Sequence, residues 1–239
     1  MYRSGDHPDD RGDLRIHPRA SYILKGQIQH VLLLLVMIPG AVWLAEPGLV
    51  GGDFLGIADR QWLLFMIAVP VIHQVIVALV FRLQLVYGLL TRVFGRADMI
   101  VWGVIFLPLL ALRVVTILAL AAAAPGGIAG PRWISVAGGS LLLIPALYTL
   151  YSVFRWFGLR RALGGDHFRR HFRETPLERR GAFRYSGNAM YSFAFLLLWG
   201  AALIVGSRAA LAGALFQHAY IWVHWYCTEQ PDMQVLYGG

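Results

Sequence analysis

Charge is scarce in this sequence. Only 14% of its 239 residues are charged, while 58% are hydrophobic and 13% aromatic; soluble domains carry about 25% charged residues. So little charge points away from a water-exposed globule and towards a bilayer. Cysteine is nearly absent, and the single Cys227 excludes an internal disulfide. No internal repeat or low-complexity tract is present. The first 27 residues are polar, mixed in charge and too long for a signal-peptide n-region. They are expected to remain as a flexible cytoplasmic tail (1–27), with a short helix near Ser21 to Gln29.

Long apolar runs are abundant. A hydrocarbon core about 30 Å thick needs roughly 20 apolar residues as a helix. Four stretches meet this: Ile28 to Ala45, Trp62 to Phe81, Met99 to Ala124 and Trp133 to Phe154. The last apolar block, Ala189 to Cys227, is too long for one span, and "VGSRAA" around Ser207 reads as a tight turn inside it. The expected fold is therefore an all-α, polytopic membrane bundle of about six spans, ending in a helical hairpin.

The net charge of +8 is compatible with nucleic acid, but its placement gives a different reason for it. Ahead of the first span lie Arg3, Arg11, Arg15, Arg19 and Lys25, and Arg82, Arg92 and Arg96 fall between the second and third. Nine arginines, from Arg155 to Arg184, lie between the fourth and fifth. The intervening loops hold one each, Arg60, Arg132 and Arg208. Cytoplasmic loops are enriched in Lys and Arg, so both termini are expected in the cytoplasm and no nucleic-acid partner is needed.

The nine-arginine loop is about thirty residues long, and loops of that length in a compact domain are often functional. It leads into "GAFRYSGNAMYSF", where Asn188, Tyr191 and Phe195 follow i, i+3, i+7 on one helical face. On the final span His218, Trp222, Trp225 and Glu229 follow i, i+4, i+7, i+11. Antiparallel pairing brings Asn188 and Glu229 to one depth, together with Arg184, Tyr185, Tyr191 and Gln230. Polar groups at such a depth are satisfied by one another or by a ligand, and Arg184 is one cation available to Glu229. Arg113 and His73 are ionisable groups inside spans, suited to structural hydrogen bonding or to a substrate cavity. His167 and His171 at i, i+4, with His218 and His224, bring membrane di-iron oxygenases to mind. Of the eight histidines, however, His7 and His17 lie in the tail and no HxxHH occurs, so no metal site is expected.

"GNAMY", then a hairpin, then "TEQPDMQVLYG", resembles the integral-membrane methyltransferases that include phosphatidylethanolamine N-methyltransferase and isoprenylcysteine carboxyl methyltransferase. The isoprenylcysteine branch carries Arg-His-Pro-x-Tyr before the hairpin and Glu-Glu after it, and the phospholipid branch more often Asn-Pro-x-Tyr. Here Asn188, Ala189, Met190 and Tyr191 sit closer to the phospholipid form without its proline, and Gln230 replaces the second glutamate. "LGGDHF", Leu163 to Phe168, resembles the family's Leu-Gly element. The likeness covers about 148–239 of a single membrane-embedded domain, 28–239.

The resemblance implies S-adenosylmethionine as cofactor. Its expected binding residues are Leu163, Gly164, Gly165, Arg184, Tyr185, Asn188, Tyr191, Glu229 and Gln230. A carboxylate such as Glu229 holds an ammonium by a charge-assisted bond, and Arg184, Asn188 or Tyr191 suits a carboxylate. Gly164 and Gly165 either admit a bulky ligand to the backbone or terminate a helix. Glu229 or His224 is the candidate proton acceptor; water serves as well. The expected acceptor is a membrane amphipath at the cytoplasmic side, with phosphatidylethanolamine or its methylated forms preferred because the arginines suit a phosphate. Isoprenylcysteine-type carboxyl methylation or small-thiol methylation is the alternative, and a non-enzymatic scaffold or transporter is the alternative of another class.

Overall fold

The computed structural model describes residues 19–238. Most of the expected tail, 1–18, lies outside them; within them, a 3₁₀ turn at Ala20–Leu24 stands near the short helix expected there, and helix α1 (Gln27–Ala45) follows. A two-residue hairpin, Asp53–Phe54 against Ile57–Ala58, links α1 to α2 (Asp59–Tyr87). Then come α3 (Leu89–Phe94), α4 (Asp98–Ala123) and α5 (Arg132–Ser152). The long polar loop holds short helices α6 (Leu159–Ala162) and α7 (Arg170–Glu174). The hairpin consists of α8 (Leu196–Val205) and α9 (Arg208–His224), and α10 (Gln230–Tyr237) continues beyond it.

The fold is an all-α bundle. Among the described residues, four helices are long and apolar enough to cross a membrane, and each carries one interior proline: Pro39, Pro70, Pro108 and Pro145. Membrane helices tolerate such breaks where neighbours re-satisfy the freed carbonyls. The hairpin helices are shorter. Large apolar side chains such as Val36, Trp43, Ile100, Val104 and Ile144 are exposed on the outside, as a membrane protein requires and a soluble one avoids.

In the interior α1 packs along α9, α2 along α4, and α5 along α8. The α5–α8 crossing is close because Gly139 and Gly200 face each other; a Cβ on either would press on the other's carbonyl oxygen. The break at Ser207 is the expected turn. Gly206 takes the left-handed conformation (φ +83°), and the Ser207 hydroxyl caps α9 at Ala210 N while donating to the Ala124 carbonyl at 2.6 Å. That bond fastens the hairpin's tip to the end of α4.

Candidate functional site

At the arginine-rich end of the bundle, three helices change pitch. Val153–Phe157 closes α5, Met190–Ala194 opens α8 and Trp225–Glu229 closes α9, each as one π-helical turn. Such turns insert an extra residue into a helix and occur often at functional sites. Two of them carry the residues that meet. The Tyr191 hydroxyl donates to Glu229 Oε2 in a short hydrogen bond. His224 Nε2 approaches Glu229 Oε1 at 3.5 Å. The His224 ring is fully buried, and among the described residues its Nδ1 has no hydrogen-bond partner. Glu229 keeps 18% of its side chain exposed. The arrangement thus presents a carboxylate with a phenol on one oxygen and an imidazole beside the other.

The stripes predicted on the hairpin do face each other. Phe195 stacks on His218 with centroids 5.5 Å apart, and Tyr191 meets Trp222 edge-on at 6.1 Å. Deeper in, His30 from α1 bonds the Tyr220 hydroxyl at 2.7 Å and lies 6.3 Å from the His224 ring. Arg113 is buried and donates to the Gln217 side chain (3.0 Å) and carbonyl (3.4 Å) while facing the Phe195 ring at 5.0 Å. Of the two alternatives for this residue, structural bonding accounts for these contacts. His73 packs edge-on to Phe106, and neither of its ring nitrogens has a partner.

Behind Glu229 lies a second polar cluster. Asp232, fully buried, forms an ion pair with Arg82 Nε (2.8 Å) and accepts from the Tyr22 hydroxyl (2.9 Å) and His167 Nε2 (3.3 Å). The His167 ring stacks on Phe81 at 4.0 Å. Beside it the loop closes on itself: Arg161 donates to the Thr175 and Pro176 carbonyls and pairs with Asp166 at 3.7 Å. Burial pushes the Asp166 carboxyl above its ordinary range despite the Tyr237 hydroxyl and Arg161 nearby, and burial with the Asp166 charge pushes Tyr237 up to about 12.

With this geometry in place, the C-terminal part can be compared with known proteins. A family model described as phospholipid methyltransferase matches residues 134–239. This part of the chain is similar to phospholipid methyltransferases. Phosphatidylethanolamine N-methyltransferase from Botryotinia fuckeliana is 34% identical over 101 residues, 42% of this chain and 10% of that protein. The protein of the same name from Uncinocarpus reesii is 33% identical over 104 residues, 43% of this chain and 10% of the relative. The chain thus spans about a tenth of the length of the curated relatives it matches. No solved structure matches it.

Within the matched residues 134–239 the expected site residues separate into groups. Tyr191, His224 and Glu229 come together. Asn188 stands at the start of the Tyr191 turn, where its carbonyl accepts from Tyr191 N and Ser192 N, and Gln230 follows Glu229 as the first residue of α10. Leu163, Gly164 and Gly165 lie on the far side of His167. The Leu163 carbonyl accepts from Trp102 Nε1 at 2.8 Å. Gly164 takes φ +79° after α6, and the Phe81 ring fills the space a Cβ would need; Phe172 does so at Gly165. Arg184 and Tyr185 are exposed, and the basic group beside Glu229 is His224 instead.

Sequence reasoning passed over Tyr22, His30, Arg82, Tyr220 and Asp232. The available signals were an arginine directly after an apolar run, in "LVFRLQ", and an aspartate three residues beyond Glu229.

Proposed function

We propose that the protein is an S-adenosylmethionine-dependent methyltransferase that N-methylates phosphatidylethanolamine or its partly methylated forms. The observation that carries this reading is the Tyr191–Glu229–His224 constellation, built by two π-helical turns inside the family-matched region. The residues suit the methyl donor. Glu229 offers a half-buried carboxylate to an α-ammonium, a charge-assisted contact, and the His224 ring is a buried polar group with unfilled hydrogen-bonding capacity. When bound, S-adenosylmethionine supplies an electrophilic methyl group on a sulfonium sulfur.

The chain's own part is alignment and proton handling. Alignment supplies much of the rate in a two-reactant displacement. An ethanolamine nitrogen is nucleophilic only after its ammonium form loses a proton, and Glu229 or His224 stands ready to accept it. Tyr191, holding one Glu229 oxygen, keeps the other oriented towards His224. The alternating arginine loops support a multi-pass chain with this site on the cytoplasmic side. Exposed Arg155 and Arg160 near the mouth of the loop suit a lipid phosphate.

The test incubates purified protein with methyl-labelled S-adenosylmethionine and vesicles containing phosphatidylethanolamine, then separates the products. Label in mono-, di- or trimethylated ethanolamine lipid is expected. Label confined to a protein carboxyl or a small thiol refutes the acceptor, and no transfer to any acceptor refutes the enzyme.

A further inference from the structure

Glu229 faces Tyr191 because of a local change in helix pitch. In the Trp225–Glu229 turn, Gln230 N reaches back five residues to the Trp225 carbonyl. Each residue of an α-helix advances about 100° around the axis. Taking the extra residue out of this turn would therefore swing Glu229 roughly that far from Tyr191. A π turn is less favourable than regular helix and persists where something outside it holds its backbone.

Those holding groups come from far away in the chain. Arg82 Nη2 donates to the Thr228 carbonyl at 3.2 Å and points at the Cys227 carbonyl at 3.5 Å. Its Nε grips Asp232 at 2.8 Å, and its Nη1 donates to the Tyr22 carbonyl at 2.7 Å, with the Tyr22 ring 4.3 Å from the guanidinium. One planar fork thus ties the π turn, the start of α10 and the N-terminal 3₁₀ turn. Gln27 adds a bond to the Thr228 hydroxyl at 3.3 Å. Gly26 (φ +80°) packs so closely on the Cys227 carbonyl that a Cβ would sit 2.2 Å from its oxygen. Arg82, Gln27 and Gly26 all lie outside the matched residues 134–239.

We infer that Arg82 is a positioning residue for Glu229: by bonding the carbonyls of the Trp225–Glu229 turn and Asp232 behind it, it fixes the direction of the carboxylate at the methyl-transfer site. The N-terminal half is then part of the working site and not only a membrane anchor. The kinetic side of this inference rests on the methyltransferase reading; the structural side does not.

The experiment compares the full chain with Arg82→Gln and Arg82→Lys in lipid nanodiscs, by amide hydrogen exchange and by steady-state methylation kinetics. Arg82→Gln is expected to speed exchange at Trp225–Glu229 about tenfold or more while Ala209–Phe216 keeps the parent's protection. The donor KM is expected to rise about tenfold with a smaller fall in kcat. Arg82→Lys restores the charge opposite Asp232 but not the reach to two carbonyls, and should recover part of the KM; it carries the same readouts if Arg82→Gln does not accumulate. Exchange raised equally in both segments would reduce Arg82 to a general stabiliser and overturn the proposal, as would an unchanged donor KM in an active enzyme. A parent that transfers no methyl group defeats the methyltransferase reading instead, and exchange at Trp225–Glu229 then decides the structural claim alone.

Discussion

Adjacent glycines on α5 offer a controlled test of how α8 is seated. An ideal Cβ on Gly139 would lie 2.7 Å from the Gly200 carbonyl oxygen and 3.0 Å from Ile204 N, both backbone atoms unable to rotate away, whereas one on Gly138 meets nothing within 4 Å. Alanine at either position gains the same helix propensity, up to about 1 kcal/mol. Only Gly139→Ala must also push α8 away, by about 0.7 Å if the 2.7 Å contact is to relax to an ordinary 3.4 Å. Overpacking of this kind costs about 1–3 kcal/mol, so the difference between the two variants isolates the crossing. It corresponds to roughly 3–10 °C between their thermal midpoints for a chain of this size. Both are measured in one detergent at one scan rate, by loss of monodisperse protein or of tryptophan signal. Midpoints within a degree of each other would refute the close-crossing account. Gly139→Ala should also lower methyl transfer beyond its effect on stability, because α8 carries Tyr191 on its opening turn.

Three further outcomes are expected. Glu229→Gln keeps the shape but removes the charge; losing a charged hydrogen bond of about 1.5–3 kcal/mol predicts donor affinity weaker by roughly ten- to hundredfold, read by calorimetry, and parent-like affinity would remove Glu229 from the site. Asp232→Asn leaves Arg82 buried without its counter-charge and should destabilise by about 3–5 kcal/mol, while an apolar double replacement of the pair should recover much of that; a double variant as unstable as the single would show that the pair is not the cause. Glu178 is held by the Arg180 guanidinium, which lowers its carboxyl from 4.5 to about 2. A depressed acid contributes stability above its unfolded value and loses it as pH falls towards the folded one, so Glu178→Gln should flatten the stability profile between about pH 4.5 and 2. The effect should stay under about 1 kcal/mol because the Arg180 side of the pair is exposed to solvent.

The apolar helices were legible because span length and composition are coarse signals, and the hairpin because a serine and an arginine interrupt an apolar block. The helical stripes were legible too, since Phe195–His218 and Tyr191–Trp222 contacts survive a change of pitch a turn away. The π turns were not, because a regular 3.6-residue period leaves no room for an inserted residue. Arg82 was misread for a related reason. Counted as a loop cation after Phe81, it lies inside α2, which runs on to Tyr87, and its charge is consumed by Asp232, a partner 150 residues on. Arg184 drew attention by proximity in sequence to Asn188, yet the turn between them leaves it exposed.

The dependence of Arg113 on α9 has a consequence for biosynthesis. Its guanidinium is satisfied by Gln217 and faced by Phe195, both on the final hairpin. An arginine at the centre of a membrane-crossing helix costs about 2.5–3.5 kcal/mol, so α4 carries that cost for as long as the hairpin is missing. The helix carrying Arg113 is apolar enough to cross a membrane by itself, but its guanidinium stays uncovered until Gln217 has been made. A chain that ends before Gln217 keeps that charge uncovered, so the last hairpin completes the interior of α4 as well as the candidate site.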